Sequence, residues 1–141
     1  MIARILITLA VTVFTLVVPV LEINTSHVFN PDWVPHARFH EVWQLTTNSG
    51  IGVLCLWLAW VKNNIRLPAA LAIIVMGGVI FAHGIESFYG GSIASGNMGK
   101  TLLGLELAAV AAFVSIGMAI VAIVLDGSRV PLDPTLGRME P

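Results

Sequence analysis

Four long apolar runs divide this sequence, and they constrain its fold more than any other feature. The runs cover about 2–21, 41–61, 68–88 and 101–125, and each contains at least twenty residues. A bilayer core about 30 Å thick is crossed by about 20 helical residues, since each residue adds about 1.5 Å. The pattern therefore predicts an all-α integral membrane protein, a four-helix bundle of up-down topology.

The composition agrees with a chain whose solvent is largely lipid. Apolar residues make up 57% of the 141 positions and charged residues only 11%, against about 25% in an average soluble domain. Seven basic and eight acidic side chains exclude an electrostatic nucleic-acid binder. The single cysteine, Cys55, excludes a disulfide-rich secreted domain. We expect one domain over 1–128 and a mobile tail over 129–141.

The first run has two interpretations, a membrane span and a cleaved secretory signal. Arg4 before an apolar stretch is typical of a signal. The stretch is long, however, and no cleavage site of small residues follows it. These two features favour the span.

The basic residues predict the orientation of the bundle. With four spans both termini lie on one side of the membrane, and that side carries Arg4, Lys62, Arg66, Arg129 and Arg138. Only Arg38 and Lys100 lie on the other side. Basic residues are enriched in cytoplasmic loops. We therefore expect a protein of the bacterial inner membrane with both termini in the cytoplasm.

Polar side chains collect at one end of the predicted bundle, because ends of odd spans and beginnings of even spans meet at the same face. The residues found there are Glu22, His27, His36, His40, Gln44, Asn48, His83, Glu86 and Glu106. His83 and Glu86 are three residues apart and share a helix face. An ionisable group inside an apolar run is costly and usually faces a cavity or a partner. The cluster predicts a site in the outer leaflet.

Such a cluster permits acid–base chemistry on a lipophilic small molecule. Burial raises the pKa of a carboxyl group and lowers that of a histidine, which brings both toward neutrality, where proton transfer is efficient. We expect His83 and Glu86 to be the proton-transfer pair, and Glu106 to be a second carboxylate. His36 and His40 complete the predicted site. The reaction classes are isomerisation, hydration and cyclisation, none of which needs a cofactor.

Amide and aromatic side chains at the same end are candidates for binding the substrate. They are Asn30, Trp33, Trp43, Gln44 and Asn48. On a helix that begins near His36, at about 100° per residue, His40 and the two later amides follow one broad polar arc. Pro31 and Pro35 restrict the preceding loop, so Trp33 can cap the pocket. An aromatic belt at the lipid headgroups is the alternative interpretation of Trp33 and Trp43.

Two other functions stay open. His36, His40, His83 and Glu86 form a conceivable ligand set for zinc or iron, since His pairs four residues apart and Glu–His pairs occur in metal sites. No H-E-x-x-H segment supports that interpretation. The other alternative is a non-catalytic subunit of a membrane complex. Helix faces rich in glycine also allow a homo-oligomer.

Two segments resemble known families. The stretch 27–40, HVFNPDWVPHARFH, resembles a motif of small, poorly characterised four-helix membrane proteins of bacteria and fungi, H-x-F-N-P-x-W-x-P-H-A-[KR]-F-H after the first span. That resemblance implies a fold and no reaction. The stretch 81–88, FAHGIESF, is similar to the H-G-x-x-E segment of EXPERA-type membrane sterol isomerases, although Glu86 follows His83 by only three residues. This similarity implies that the pair assists proton movement on a sterol-like substrate.

Overall fold

Long helices dominate the residues that this computed structural model describes, which are 1–94, 101–102 and 104–127. The elements in chain order are α1 (Ile2–Thr12), a π-helical turn (Val13–Val17), α2 (Val18–Glu22), α3 (Pro35–Trp60), α4 (Arg66–Gly84), α5 (Glu86–Tyr89), β1 (Thr101–Leu102), β2 (Leu105–Glu106) and α6 (Leu107–Gly127). The predicted helical fold is confirmed, although two short strands make the chain not strictly all-α. The predicted tail 129–141 lies outside the described residues, as do Lys100, Arg129 and Arg138.

Three helices are long and apolar enough to cross a membrane. They are Ile2–Glu22, which joins α1, the π-helical turn and α2, and then α4 and α6. Large apolar side chains such as Leu9, Ile74 and Val124 are more than half exposed on their outer faces. Apolar surface of this extent suits lipid better than water. The three helices are consistent with an integral membrane protein.

Helix α3 differs from the predicted second span. It has 26 residues, about 39 Å at 1.5 Å per residue, and it begins at Pro35, whose missing N–H costs nothing in a first turn. Polar side chains occupy its first half, from His36 to Asn48. Because of them α3 is less apolar than the other three helices, and within the described chain only those three qualify as spans by length and composition.

The segment before α6 is a hairpin where the sequence predicted helix. Thr101 pairs antiparallel with Glu106, and Leu102 with Leu105. Gly104, between them, has a φ of 80°, a left-handed conformation that glycine adopts without cost. Glu106 therefore lies in β2, and the prediction that a helix covers the whole of 101–125 is wrong for this residue. The helix begins only after it.

Helix α4 also ends earlier than the predicted residue 88. Ile85, with φ −117° and ψ 9°, interrupts the helix after Gly84. One further turn, α5, follows the interruption and ends at Tyr89, and the next residue, Gly90, has a φ of 70°. His83 and Glu86 therefore stand on the two sides of a break in the helix.

Small residues bring the four long helices close together. The buried core includes Ile7, Val11 and Phe14 of the first span, Cys55 and Ala59 of α3, Ala69, Ala72 and Met76 of α4, and Ala112, Ala119 and Ala122 of α6. Helix α3 contacts both the first span and α4, and α6 contacts the same two. Alanine at these positions lets helix backbones approach closely.

The far end of α3 is joined to the start of the first span. The indole Nε1 of Trp60 donates to Thr8 Oγ1 at 2.9 Å, and the Arg4 guanidinium lies 5.9 Å from the Trp60 ring centre. Arg4 also donates to Asn63 Oδ1. These contacts fix α3 along the first span, and its polar half then lies at the opposite end of the bundle.

Candidate functional site

Two cavities adjoin the polar half of α3. The first, which we call the His83 cavity, has a volume of about 540 Å³ and lies between α3 and the α4–α5 region. The second, the Glu22 cavity, has a volume of about 390 Å³ and lies between the first span, α3, α4 and α6. Gln44 and Val79 line both cavities. The two spaces are therefore neighbours with a common wall.

The predicted proton-transfer pair is close together at the wall of the His83 cavity. His83 Nδ1 lies 3.0 Å from Glu86 Oε2, and the same oxygen accepts the backbone N–H of Ile93 at 2.9 Å. The two side chains are 39% and 28% exposed. The two side chains stay in contact across the break at Ile85, and Glu86 lies just beyond the end of α4.

These hydrogen bonds determine the protonation state of Glu86. The hydrogen bond from His83 lowers the pKa of the Glu86 carboxyl below its ordinary value of 4.5, and desolvation, which acts the other way, is a smaller effect. The Ile93 N–H lowers this pKa further. The pKa of Glu86 is therefore lowered on balance, whereas the sequence led us to expect a net rise. Glu86 is therefore a carboxylate at neutral pH, and its Oε2 accepts the Nδ1–H of His83.

Two of the predicted substrate-binding amides face this pair across the cavity. Gln44 and Asn48 are one turn apart on α3, and both line the His83 cavity. Tyr89, which also lines it, donates its hydroxyl to the backbone oxygen of Ala82 at 3.1 Å. The cavity thus combines a carboxylate-bound imidazole on one wall with two neutral amides on the other.

His36 and His40 form a separate pair. Their Nε2 atoms are 3.0 Å apart, their rings meet edge-on, and both side chains are exposed on the first turns of α3. The His40 ring also stacks on Trp43, 5.7 Å between centres. His40 and Trp43 line a shallow pocket beside Gln44, but neither His36 nor His40 lines the His83 cavity.

Glu106 does not join the predicted cluster. It is paired with Thr101 in the short hairpin, and it lines neither the His83 cavity nor the Glu22 cavity. Helix α6 begins only at Leu107, so Glu106 lies in the hairpin and is not held on the inner face of a helix.

The ligand set predicted for zinc or iron is divided between two places. His36 and His40 make one pair and His83 and Glu86 the other. Within the part of the chain that the structure describes, no three His, Cys, Asp or Glu side chains come together as ligands for one ion.

Asn30 and Trp33 organise the loop before α3. The Asn30 side chain donates to Ser26 O at 3.0 Å and accepts the Asp32 N–H at 2.9 Å. Its backbone oxygen accepts a hydrogen bond from Arg38 at 3.0 Å. The Trp33 ring packs edge-on against His27, 5.6 Å between centres. Neither predicted residue lines a described cavity directly, but both hold the loop that carries His27.

Glu22 and His27, which the sequence places in the polar cluster but to which it gave no role in the site, form a second ionisable pair. Glu22 Oε2 lies 2.7 Å from His27 Nε2, and each side chain is only 16% exposed. The loop turns back on itself, with the N–H of Val28 bonded to Glu22 O at 3.2 Å. The spacing of five residues across an irregular turn carries no periodic signal. The available clue was an acidic residue at the end of an apolar span.

The Glu22 cavity is almost entirely apolar apart from this pair, Glu41 and Gln44. Its apolar walls consist of Val13, Val17, Val18, Leu21, Leu45, Met76, Val79, Leu107, Ala108 and Ala111. Two of these residues belong to the π-helical turn (Val13–Val17). Such turns are rare and often occur at functional sites.

The polar end of the bundle therefore offers an ionisable pair at each of two adjoining cavities. The His83 cavity is wider and carries more polar side chains, whereas the Glu22 cavity is smaller and more apolar. No family model, no curated protein and no solved structure matches this chain, so the two resemblances seen in the sequence stay predictions.

Proposed function

We propose that this protein is an integral membrane enzyme that moves a proton on a lipophilic small molecule in the His83 cavity. The observation that carries the proposal is the contact of 3.0 Å between His83 Nδ1 and Glu86 Oε2 at the wall of a space of about 540 Å³. Binding sites for small molecules usually measure about 300–1,000 Å³. Double-bond isomerisation fits best among the three expected reactions, because a single base can take and return the proton.

In this proposal α3 is the fourth span. Trp43 and Trp60 are separated by about 26 Å along the helix, close to the bilayer core of about 30 Å. Tryptophan is enriched at both membrane interfaces. The turns before Trp43 then project beyond the hydrocarbon, which accounts for their polar side chains. Arg4, Lys62 and Arg66 share the cytoplasmic side, and both cavities open toward the outer side.

His83 is the base, and Glu86 is its positioning residue. The Glu86 carboxylate accepts the Nδ1–H of His83 and leaves Nε2 to receive a proton. The negative charge also stabilises the imidazolium that forms, as a carboxylate does for the histidine of a catalytic triad. Glu86 remains ionised throughout, because its pKa is already held below the ordinary value.

A β,γ-unsaturated ketone illustrates the balanced reaction. His83 Nε2 takes a proton from the carbon between the carbonyl group and the double bond, and a dienolate forms. The amide N–H groups of Gln44 and Asn48 donate to the dienolate oxygen, where negative charge develops. The imidazolium then returns the proton to the γ-carbon, and the conjugated ketone leaves. No proton is gained or lost overall.

The test uses purified protein in lipid nanodiscs with a panel of β,γ-unsaturated steroid and terpenoid ketones in D₂O. Conjugation is followed by ultraviolet absorbance, and mass spectrometry measures how much of the hydrogen at the γ-carbon has exchanged with D₂O on the imidazolium before its return. We expect His83→Gln to lose about 10²–10⁴-fold in rate, the usual contribution of a general base. Glu86→Gln should also lose activity.

Asp126→Asn is the matched control, since Asp126 stands at the far end of α6 and the same carboxylate-to-amide change there should leave the rate unaltered. Equal rates for wild type and His83→Gln, or no isomerisation of any ketone in the panel, would contradict the proposal.

A further inference from the structure

The Glu22 cavity is a second space, and neither His83 nor Glu86 lines it. Ten apolar side chains from four helices form its walls, and its polar residues are Glu22, His27, Glu41 and Gln44. Its volume of about 390 Å³ lies in the range of small-molecule sites. The shape suits a ligand with a large apolar part and one polar group.

The charges around this cavity do not cancel. Glu22 and Glu41 supply two carboxylates, and His27 is the only basic side chain among the residues that line it. Even a protonated His27 leaves one of the two carboxyl groups without a basic counterpart among the described residues that line the cavity. Arg38 is engaged elsewhere, because its guanidinium donates to Asn30 O at 3.0 Å. Of the other described basic residues, Arg4, Lys62 and Arg66 belong to the opposite end of the bundle.

Both carboxylates retain acceptor capacity. Glu22 Oε2 is buried, and although His27 Nε2 is 2.7 Å away, the contact lacks the angles of a hydrogen bond. Glu41 is partly buried and has no hydrogen bond or ion pair to any residue that the structure describes. A carboxylate taken out of water without a partner is costly. A ligand that brings N–H donors and a positive charge would remove that cost.

We propose that the Glu22 cavity binds an amphipathic cation, a protonated amine on a hydrocarbon body. The ammonium group lies between Glu22 and Glu41, and the hydrocarbon lies against walls such as Val17, Met76 and Ala111. A phospholipid headgroup is disfavoured, because its phosphate would meet two carboxylates and no arginine or lysine among the lining residues. The proposal is independent of the reaction assigned to the His83 cavity.

Two matched photoreactive probes test the site, dodecylamine and dodecanol carrying the same diazirine. Each is cross-linked to the protein in phosphatidylcholine nanodiscs, and the labelled residues are mapped by mass spectrometry. We expect the amine to label the apolar walls of the cavity at least about tenfold more than the alcohol, because a hydrogen bond to a charged group contributes about 1.5–3 kcal/mol. Unlabelled dodecylamine should compete.

Variants connect the labelling to the two carboxylates. Glu22→Gln and Glu41→Gln should each reduce amine labelling about tenfold and leave alcohol labelling unchanged. Glu86→Gln makes the same change at the His83 cavity and should alter neither. Ala111→Phe places a bulky side chain in the cavity and changes no charge, so it should block both probes. This variant keeps the test decisive if Glu22→Gln or Glu41→Gln does not fold.

Several results would overturn the proposal. They are absence of amine labelling in the cavity, equal labelling by amine and alcohol, and unchanged amine labelling in Glu22→Gln and Glu41→Gln. Failure of ketone isomerisation alone would leave the amine site standing. Failure of labelling alone would leave the isomerase proposal standing.

Discussion

Glu86 joins the end of α4 to the chain that follows it, because one carboxylate oxygen accepts hydrogen bonds from both His83 and the backbone of Ile93. The hydrogen bond from His83 holds the pKa of Glu86 below 4.5 in the folded protein. A lowered pKa contributes stability that is complete above the unfolded value and is lost as the pH falls through the folded value. This segment should therefore loosen only under acid conditions.

We expect the amide proton of Ile93 to report this titration by nuclear magnetic resonance. The change in its chemical shift that comes from Glu86 should have a midpoint below 4.5. In Glu86→Gln the transition should disappear, since the amide cannot ionise. A midpoint above 4.5, or the same transition in the variant, would show that the carboxylate does not carry this contact.

Sequence reasoning identified some residues of the candidate site and missed others for a physical reason. His83 and Glu86 could be paired because residues three apart on a helix share a face, and the pairing survives the break at Ile85. Glu22 and His27 are brought together by a loop whose path depends on local hydrogen bonds rather than on a period. Their contact of 2.7 Å could not be read from spacing.

Helix α3 and the first span lie in close contact at Gly52. A Cβ added there would lie 1.6 Å from Thr15 Oγ1, and Ser49 of α3 donates to the Thr15 backbone oxygen at 3.2 Å. Thr15 itself lies in the π-helical turn that lines the Glu22 cavity. The contact therefore sets the distance between α3 and the cavity wall.

We predict that Gly52→Ala destabilises the protein by about 1–3 kcal/mol, the usual cost of overpacking. Gly50→Ala is the matched control in the same helix, because nothing lies within 4 Å of its added Cβ and alanine favours helix. Reversible unfolding of the protein in mixed micelles measures both. Equal stability of the two variants would mean that the helices can separate at this position without cost.

The hairpin before α6 shows why helix ends were harder to predict than helix centres. Leu102, Leu105 and Glu106 are as compatible with a helix as with a strand, and the apolar run continues through them. The left-handed φ of Gly104 decides the outcome, and a glycine inside an apolar run gives no sign of its backbone conformation. The centre of α6 was predictable because its apolar residues extend over five turns.

At the scale of the whole molecule, helix α3 decides the topology. Three helices qualify as spans by composition, and with three spans the beginning of α1 and the end of α6 would lie on opposite sides of the membrane. If α3 also crosses, both lie on the same side, and Arg4, Lys62 and Arg66 share it. The contacts of α3 with the first span and α4 favour crossing, because a helix packed along two spans shares their direction.

Single cysteines in the two loops that flank α3 distinguish these topologies. In a Cys55→Ser background, Thr25→Cys places a thiol before α3 and Asn64→Cys places one after it. With α3 as a span, a membrane-impermeant maleimide should label Thr25→Cys in intact cells and Asn64→Cys only after permeabilisation. Labelling of both from one side would show that α3 does not cross. The reversed pattern would keep four spans but turn both cavities toward the cytoplasm, because the loop that carries His27 also forms part of the Glu22 cavity.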